Sequence, residues 1–230
     1  MNKPYYILAA YPTDSNRLKN IFESGDGSIM EMLRNPDQLR HAGWDLRTYD
    51  NPSIMKGEYL EVKSLDYKII KLYEDGTLIL RALADSSFLC WGVDDDKFEE
   101  NPKLNPLPLI EVTYNFVDFY IKLIPKFKDV PSNIAFTIQF TDTFISSKSR
   151  LFLSNDFFET KYLAPDIIME KKYEISVTSQ LFSVGHITFS IISSIYTWFG
   201  VEINKIPYKE KDKDGNYFID KERIIRLKPF

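Results

Sequence analysis

The residues best suited to chemistry are few and widely separated in this sequence of 230 residues. The two histidines, His41 and His186, stand in no metal-ligand spacing and beside no Gly-x-Ser-x-Gly nucleophile elbow. The single cysteine, Cys90, lies in an apolar run, which indicates a buried thiol and excludes a disulfide within the chain. We therefore assign no catalytic residue and regard an enzyme as the less favoured interpretation. A hydrolase that uses dispersed carboxylates such as Asp85 or Glu111 is the third alternative for function.

Three segments imitate ligand-binding motifs without completing one. Segment 25–28 has the glycines of a phosphate cradle, but it lacks the Lys-Ser/Thr ending of the P-loop and the third glycine of the dinucleotide fingerprint. Segment 93–102 is dense in acids, but no glycine lies between them to bend the chain around a cation, and we predict a solvated loop. Segment 212–216 spaces its acids like a calcium loop, but Lys221 stands where a bidentate glutamate is needed, and the flanking apolar residues favour a hairpin. The sequence therefore predicts no metal and no cofactor.

Composition places the chain among folded globular proteins. Hydrophobic residues make up 44% of the sequence and aromatic residues 15%, which supports a substantial core. The formal charge of -4 argues against nonspecific binding of a phosphate backbone and leaves room only for a local basic patch. The apolar run 5–10 is too short for a secretory signal and predicts a strand, so we expect a cytoplasmic protein. Because this strand begins so early, we also expect the chain to be a module of a longer polypeptide.

The stretch from Tyr59 to Gly92 has the pattern of consecutive antiparallel strands, and the other elements are expected to cover it. Asp75-Gly76 lies between two apolar runs and predicts a tight hairpin, since glycine accepts a positive φ without steric cost. A third short strand is predicted over Phe88–Trp91. We infer a meander at the centre of a sheet.

A long helix is predicted from Pro106 to Phe127, with Pro125 ending or bending it. One apolar seam contains Leu107, Ile110, Tyr114, Val117, Ile121 and Ile124, and a second contains Val112, Phe116, Phe119, Leu123 and Phe127. The polar stripe consists of Glu111, Asn115, Asp118, Lys122 and Lys126. A helix that is apolar over most of its circumference is buried on two sides, against the sheet and against another helix or another subunit.

The remaining elements follow from local patterns. Helices are predicted over 16–23, capped by 12–15, and over 29–33, with a third short piece at 37–41. From Trp44 to Met55 we expect a strand and then a loop. Strands are predicted over 134–141, 150–153 and 174–178, with an aromatic-rich loop over 156–165. The chain is expected to end in a hairpin around 212–216 and a strand or short helix over 221–228.

The run from Leu181 to Val201 contains no Asp, Glu, Lys or Arg across nearly the length of a bilayer span. Its many serines and threonines make it less apolar than a typical span, and we predict a buried helix against the Pro106 helix. His186, near its start, is interpreted as a hydrogen-bonded structural residue. No membrane association is expected.

Three features resemble a known family: the strand Tyr5–Pro12, the Asp75-Gly76 hairpin, and Pro108-Leu109-Ile110-Glu111 at the start of a long aromatic helix. Together they are similar to the C-terminal module that follows the nucleic-acid-binding domain in some bacterial Schlafen-like proteins. The similarity covers about the first two thirds of the chain. It implies an accessory domain of a larger regulatory or defence protein, and no active-site residue carries over.

These observations predict an α+β protein with a mixed or mainly antiparallel sheet, a central meander and two long apolar helices. We expect one domain over 1–230, or two subdomains over 1–104 and 105–230. The favoured function is a sensing or protein-interaction module without catalysis of its own, and the alternative is a nucleic-acid-associated transcriptional or defence regulator. A protein partner, self-association or a small ligand is expected to use an aromatic surface made by Tyr114, Phe116, Phe119 and Tyr120.

Overall fold

A seven-stranded antiparallel sheet forms the centre of the protein in its computed structural model. The structure describes residues 3–14, 16–41, 43–48, 53–55, 58–65, 67–90, 101–147, 149–154 and 161–227. Within these residues the strands are β1 (Tyr5–Pro12), β2 (Ser53–Met55), β3 (Tyr59–Ser64), β4 (Lys68–Tyr73), β5 (Leu78–Leu83), β6 (Lys103–Leu104), β7 (Asn133–Thr141), β8 (Phe152–Ser154), β9 (Lys161–Leu163), β10 (Met169–Ser176), β11 (Lys209–Lys211) and β12 (Tyr217–Ile219). The α-helices there are α1 (Ile29–Arg34), α2 (Pro106–Leu123), α3 (Val184–Trp198) and α4 (Lys221–Ile225).

The main sheet has the strand order β10, β7, β1, β5, β4, β3, β2, and every neighbouring pair is antiparallel. The predicted α+β class with a mainly antiparallel sheet is therefore confirmed. Strand β1 pairs with β5 on one side and β7 on the other, so the sheet combines strands from both sides of residue 104. The consecutive strands β3, β4 and β5 form the predicted meander.

The hairpin between β4 and β5 turns at Gly76, which has a φ of +85°. The Tyr73 N–H donates to the Thr77 carbonyl at 2.9 Å, and the Thr77 N–H donates to the Asp75 carboxylate at 2.8 Å. The third strand predicted over Phe88–Trp91 is wrong for its described residues, because 85–90 form turns. The Cys90 N–H donates to the Asp85 carbonyl at 2.8 Å, a local bond that replaces strand pairing.

The two faces of the sheet differ in burial. On the covered face, Leu8 of β1 stands between Leu80 of β5 and Ile138 of β7, and all three side chains are fully buried. Burial of each such side chain stabilises the fold by about 1.5–3 kcal/mol. On the opposite face, the odd-numbered residues of β1 are only partly buried. This alternation predicts which face carries the helices.

Helices α2 and α3 pack on the covered face and against each other. The Tyr6 hydroxyl of β1 lies 3.0 Å from the Thr113 hydroxyl of α2. From α3, Trp198 stacks on Phe140 of β7 with ring centroids 6.2 Å apart. Contacts between α2 and α3 agree with the predicted burial of the long helix on two sides.

Capping residues explain where α2 and α3 begin, and Pro125 lies where α2 ends. Asn105 caps α2 by accepting the Leu107 N–H at 3.1 Å, and α2 changes into a 3-10 turn over Ile124–Lys126, which contains Pro125. Ser183 caps α3, whose 15 residues are fewer than the predicted segment 181–201. No helix within the described ranges is long and apolar enough to cross a membrane.

Two short helices predicted near the N-terminus are wrong. Over 16–23 the backbone is bound by two turns elsewhere in the chain: the Leu18 N–H donates to the Glu74 carbonyl at 2.8 Å, and the Lys19 N–H to the Lys126 carbonyl at 2.9 Å. Residues 37–41 also lack helical structure. Tertiary hydrogen bonds therefore override local helix signals in this region. Helix α1 confirms the piece predicted at 29–33.

The later elements match their predictions with shifted bounds. Strand β7 covers the predicted 134–141, β8 overlaps 150–153, and β10 begins earlier than the predicted 174–178. Strands β11 and β12 form the predicted hairpin, and α4 follows it. The strand and then loop predicted from Trp44 to Met55 is wrong for the described residues, because 44–48 have no regular secondary structure and strand β2 comes after them. The predicted loop 93–102 lies outside the described residues except for 101–102, and the predicted loop 156–165 is wrong at its described end, where β9 covers 161–163.

We expect Gly76→Ala to destabilise the protein more than Gly215→Ala does. Both glycines have nearly the same φ, +85° and +87°, but only a Cβ at position 76 would meet the Phe127 ring, at 2.1 Å. The positive φ costs about 1 kcal/mol in each variant, and the clash with the buried ring adds about 2 kcal/mol for position 76. Urea unfolding of both variants measures the difference. Equal losses would show that the turn does not depend on its contact with Phe127.

Candidate functional site

A segment without regular secondary structure, residues 37–41 and 43–48, lies over α2 and is held by a buried charge. Glu111 of α2 is fully buried and pairs with Arg40, which is 8% exposed. Arg40 donates from both Nε and Nη2 to the two carboxylate oxygens, the latter bond being 3.2 Å long. The Trp44 N–H also donates to Glu111 Oε2, at 2.9 Å. A buried carboxylate with three donors is a strong anchor for the segment.

The segment approaches α2 closely at Gly43. A Cβ at position 43 would lie 3.0 Å from Glu111 Oε2. One helical turn further on, the Asn115 amide donates to the Trp44 carbonyl at 3.0 Å and accepts the Leu39 N–H at 3.2 Å. Glu111 and Asn115 belong to the predicted polar stripe of α2, and they bind backbone and side chains of the segment that covers them.

A second buried charge lies where the segment reaches the sheet. Lys68 begins β4, points to the covered face and is 3% exposed. Its ammonium group donates to the Asp45 carbonyl at 2.7 Å and lies 3.9 Å from the Asp45 carboxylate. That carboxylate also accepts the Arg47 backbone N–H and Arg47 Nε, both at 2.8 Å.

These residues border a pocket of about 520 Å³. Its lining residues come from the segment, from the start of β4 and from the turns after β5; they are Gly43, Trp44, Asp45, Arg47, Thr48, Tyr67, Lys68, Ser87 and Phe88. The Tyr67 and Phe88 rings are 5.6 Å apart, and the Lys68 ammonium lies 5.4 Å from the centre of the Phe88 ring. The described lining of the pocket thus combines two cations and one carboxylate with aromatic side chains.

Burial changes the acid–base behaviour of the pocket. It lowers the pKa of Lys68 from 10.5 to about 8, while Asp45 opposes this shift and Arg47 adds to it. The ammonium form is therefore less favoured here than on the surface, and it gains stability from any further negative charge nearby. An amine of this kind can bind an anion or, when neutral, act as a base or nucleophile.

The four aromatic residues expected to form an interaction surface lie in the core. Phe116 and Tyr120 are fully buried, and Phe119 and Tyr114 are 5% and 9% exposed. Tyr120 packs against Phe136 of β7 with ring centroids 5.9 Å apart. These side chains pack in the core of the chain, so they are not available for the self-association through α2 that the sequence suggested.

The other residues considered for chemistry have structural partners. Asp85 accepts the Ser87 N–H at 2.8 Å and lies 3.7 Å from Lys3. Cys90 is buried, as predicted, and burial raises the pKa of its thiol well above the usual value. Ser28, from the glycine-rich segment 25–28, caps α1 by accepting the Glu31 N–H at 3.1 Å. Among the residues that the structure describes, no group of three His, Cys, Asp or Glu side chains could hold a metal ion.

His186 joins α3 to the β11–β12 hairpin. Its Nδ1 lies 2.8 Å from the Ser183 hydroxyl, and its Nε2 lies 3.0 Å from the Asp212 carboxylate. Ser183 is also the cap of α3, and Asp212 accepts backbone N–H groups of the hairpin turn from Asp214 and Asn216. Both partners of His186 thus organise backbone, which agrees with the predicted structural role of the histidine.

The roles of Arg40 in the Glu111 anchor and of Asp45 and Lys68 in the pocket were not predicted from the sequence. A signal was present at Lys68, which occupies the phase of Ile70 and Leu72 on the covered face. A lysine in that phase must be buried and needs an oxygen partner. The partner could not be named from the sequence, because Asp45 lies in a segment without periodicity.

We expect Glu111→Ala to lower the free energy of unfolding by about 3–5 kcal/mol, because it leaves the Arg40 guanidinium buried without its counter-ion. Glu174→Ala is the matched control, since Glu174 pairs at 3.6 Å with Lys172 and both side chains are about half exposed. That change should cost less than about 1 kcal/mol. Chemical denaturation of both variants provides the measurement. A loss at position 111 no larger than that at 174 would refute the anchoring role of Glu111.

Comparisons with known proteins were made with family models, with curated proteins and with solved structures, and none of the three found a match to this chain.

Proposed function

We propose that this chain is a sensing module that binds a small ligand in the Lys68 pocket and has no catalysis of its own. The observation that supports this proposal is the pocket of about 520 Å³, which falls within the usual size range of small-molecule sites. Its lining combines Trp44, Tyr67 and Phe88 with charged groups, the mixture by which proteins usually bind such molecules.

The position of the pocket suggests how a bound ligand would be sensed. One wall belongs to the segment over α2, and the opposite wall belongs to β4 and the turns after β5. The segment is anchored through Trp44 to Glu111 and Asn115 of α2. A ligand that contacts both walls would stabilise the conformation in which the segment lies on α2, relative to any conformation in which the segment has left α2. The size of this stabilisation is set by the difference between the ligand's affinities for the two conformations. We propose that this stabilisation is the signal.

The wider setting is also a proposal. Resemblance to the C-terminal module of Schlafen-like proteins supports an accessory role in a cytoplasmic regulatory or defence protein. A protein partner would find exposed apolar side chains at Ile167 and Ile168, which immediately precede β10 at one edge of the main sheet. Such side chains on an edge are a common feature of contact surfaces.

A thermal-shift screen of a small-molecule library tests the sensing proposal. We expect some compounds to raise the melting temperature of the wild type, and Ser87→Trp to weaken their binding at least tenfold by filling the pocket mouth. Ser87 is exposed at the pocket, so the change spares the core. Ser86→Trp is the matched control, because Ser86 is the exposed neighbour outside the lining. A library without any stabilising compound, or compounds that bind Ser87→Trp as well as the wild type, would refute the proposal.

A second candidate, association with single-stranded nucleic acid, is supported by the half-exposed face of the sheet. On this face the Arg81 guanidinium lies 3.6 Å from the centre of the Tyr5 ring, and Lys71 lies 4.8 Å from that of Tyr59. Lys172 lies 5.7 Å from the centre of Tyr11. Aromatic rings with neighbouring cations are the groups on which unpaired bases stack. Glu61 and Glu174 partly neutralise Lys71 and Lys172, which makes this candidate the second one.

Fluorescence anisotropy with a labelled 12-nucleotide oligouridine tests this candidate. We expect affinity to fall steeply between 50 and 200 mM salt. Arg81→Gln should weaken binding about threefold to tenfold, as expected for loss of one stacking cation. Lys213→Gln, in the exposed hairpin turn, should leave affinity unchanged. Salt-independent binding, or equal binding by both variants, would remove the candidate.

A further inference from the structure

Among the described residues that line the Lys68 pocket, positive charges outnumber negative ones. Lys68 and Arg47 are the cations of this described lining, and Asp45 is its carboxylate. Asp45 is shared between them, since it accepts two N–H groups of Arg47 and lies 3.9 Å from the Lys68 ammonium. One negative charge therefore serves two cations. The pocket can accept one further negative charge before its own charges balance.

The Lys68 ammonium has donor capacity left for a ligand. An ammonium group carries three N–H donors. One of them binds the Asp45 carbonyl at 2.7 Å, and the Phe88 ring lies on another side at 5.4 Å. The Arg47 guanidinium is nearly half exposed; its Nε binds Asp45 and its Nη2 donates to the His41 carbonyl at 3.5 Å, which leaves Nη1 and the second N–H of Nη2 for a ligand. Because a guanidinium fork matches the two oxygens of a carboxylate, these donors suit that group well.

The rest of the lining favours a flat ring. Trp44, Tyr67 and Phe88 contribute three aromatic side chains, and the Tyr67 and Phe88 rings are tilted by 32° at 5.6 Å. Offset or tilted contacts with such rings are the arrangement that an aromatic ligand prefers. The volume of about 520 Å³ accommodates one or two fused rings with a substituent.

We propose that the ligand of this pocket is a small monoanion in which a flat aromatic ring carries one carboxylate. The carboxylate binds between Lys68 and Arg47, and the ring lies among Trp44, Tyr67 and Phe88. This inference rests on the proposed function and names the chemical class of the ligand.

The acid–base behaviour of Lys68 gives the proposal a pH signature. The pKa of Lys68 is lowered to about 8, so its ammonium form is lost as the pH rises through that value. Asp45 and Arg47 are the charged groups beside it within the described part of the chain. Affinity for an aromatic carboxylate should therefore fall by about tenfold between pH 7 and pH 9 in the wild type. In Lys68→Arg the charge persists, and the affinity should stay nearly constant.

Isothermal titration calorimetry with 1-naphthoate tests the class of ligand. Its neutral counterpart 1-naphthamide and the ringless anion acetate are the matched probes. We expect 1-naphthoate to bind at least tenfold more tightly than either. Lys68→Met should weaken its binding at least tenfold. Lys63→Met should change it less than twofold, because Lys63 is exposed on β3 and belongs to the opposite face of the sheet.

Each outcome decides between the two proposals. Equal binding of 1-naphthoate and 1-naphthamide, or a 1-naphthoate affinity that does not depend on Lys68 or on pH, would overturn the assignment of an aromatic carboxylate. In that case the sensing role would still stand if library compounds bind the wild type and bind Ser87→Trp at least tenfold more weakly. If Lys68→Met fails to fold, the pH profiles of the wild type and Lys68→Arg decide the matter, since matching declines would overturn the role of Lys68.

Discussion

The buried carboxylate of Glu111 is the interaction on which the rest of the candidate site depends. A charge without solvent is tolerated only when donors surround it, and here Arg40 and the Trp44 N–H supply them. Those donors belong to a segment that has no helix or strand of its own. The requirement to satisfy Glu111 therefore gives this segment a defined path over α2.

The path of the segment in turn creates the pocket. By holding Gly43 and Trp44 against α2, the Glu111 anchor places Asp45 beside the first residue of β4. Lys68 can then be buried on the covered face of the sheet, because an oxygen partner is within reach. The space that remains is the pocket, and its described lining contains Lys68, Arg47 and three aromatic side chains. The Glu111 anchor and the proposed ligand pocket are thus neighbouring parts of one arrangement of buried charges.

The asymmetry of the sheet separates two kinds of surface. The covered face is occupied by α2 and α3, whose aromatic side chains are used for packing. The opposite face keeps tyrosines partly exposed, with cations above their rings. An excess of aromatic residues in a sequence can therefore arise from both packing and surface contacts, and only the position of each ring tells them apart.

Periodicity and turn chemistry in the sequence determined the elements that are local in origin. The apolar phases of β1 and β7, the Gly76 turn, the helix that begins at Pro106 and its end near Pro125 all follow from residues close together in the chain. Tertiary structure alone decided the course of residues 16–23, 37–41 and 43–48, because their backbone and side-chain groups bind partners far away in the sequence. The pocket belongs to this second class. Lys68 and Asp45 are 23 residues apart in the sequence, and they bind each other because a buried charge needs a polar partner. No local pattern in the sequence identifies that partner.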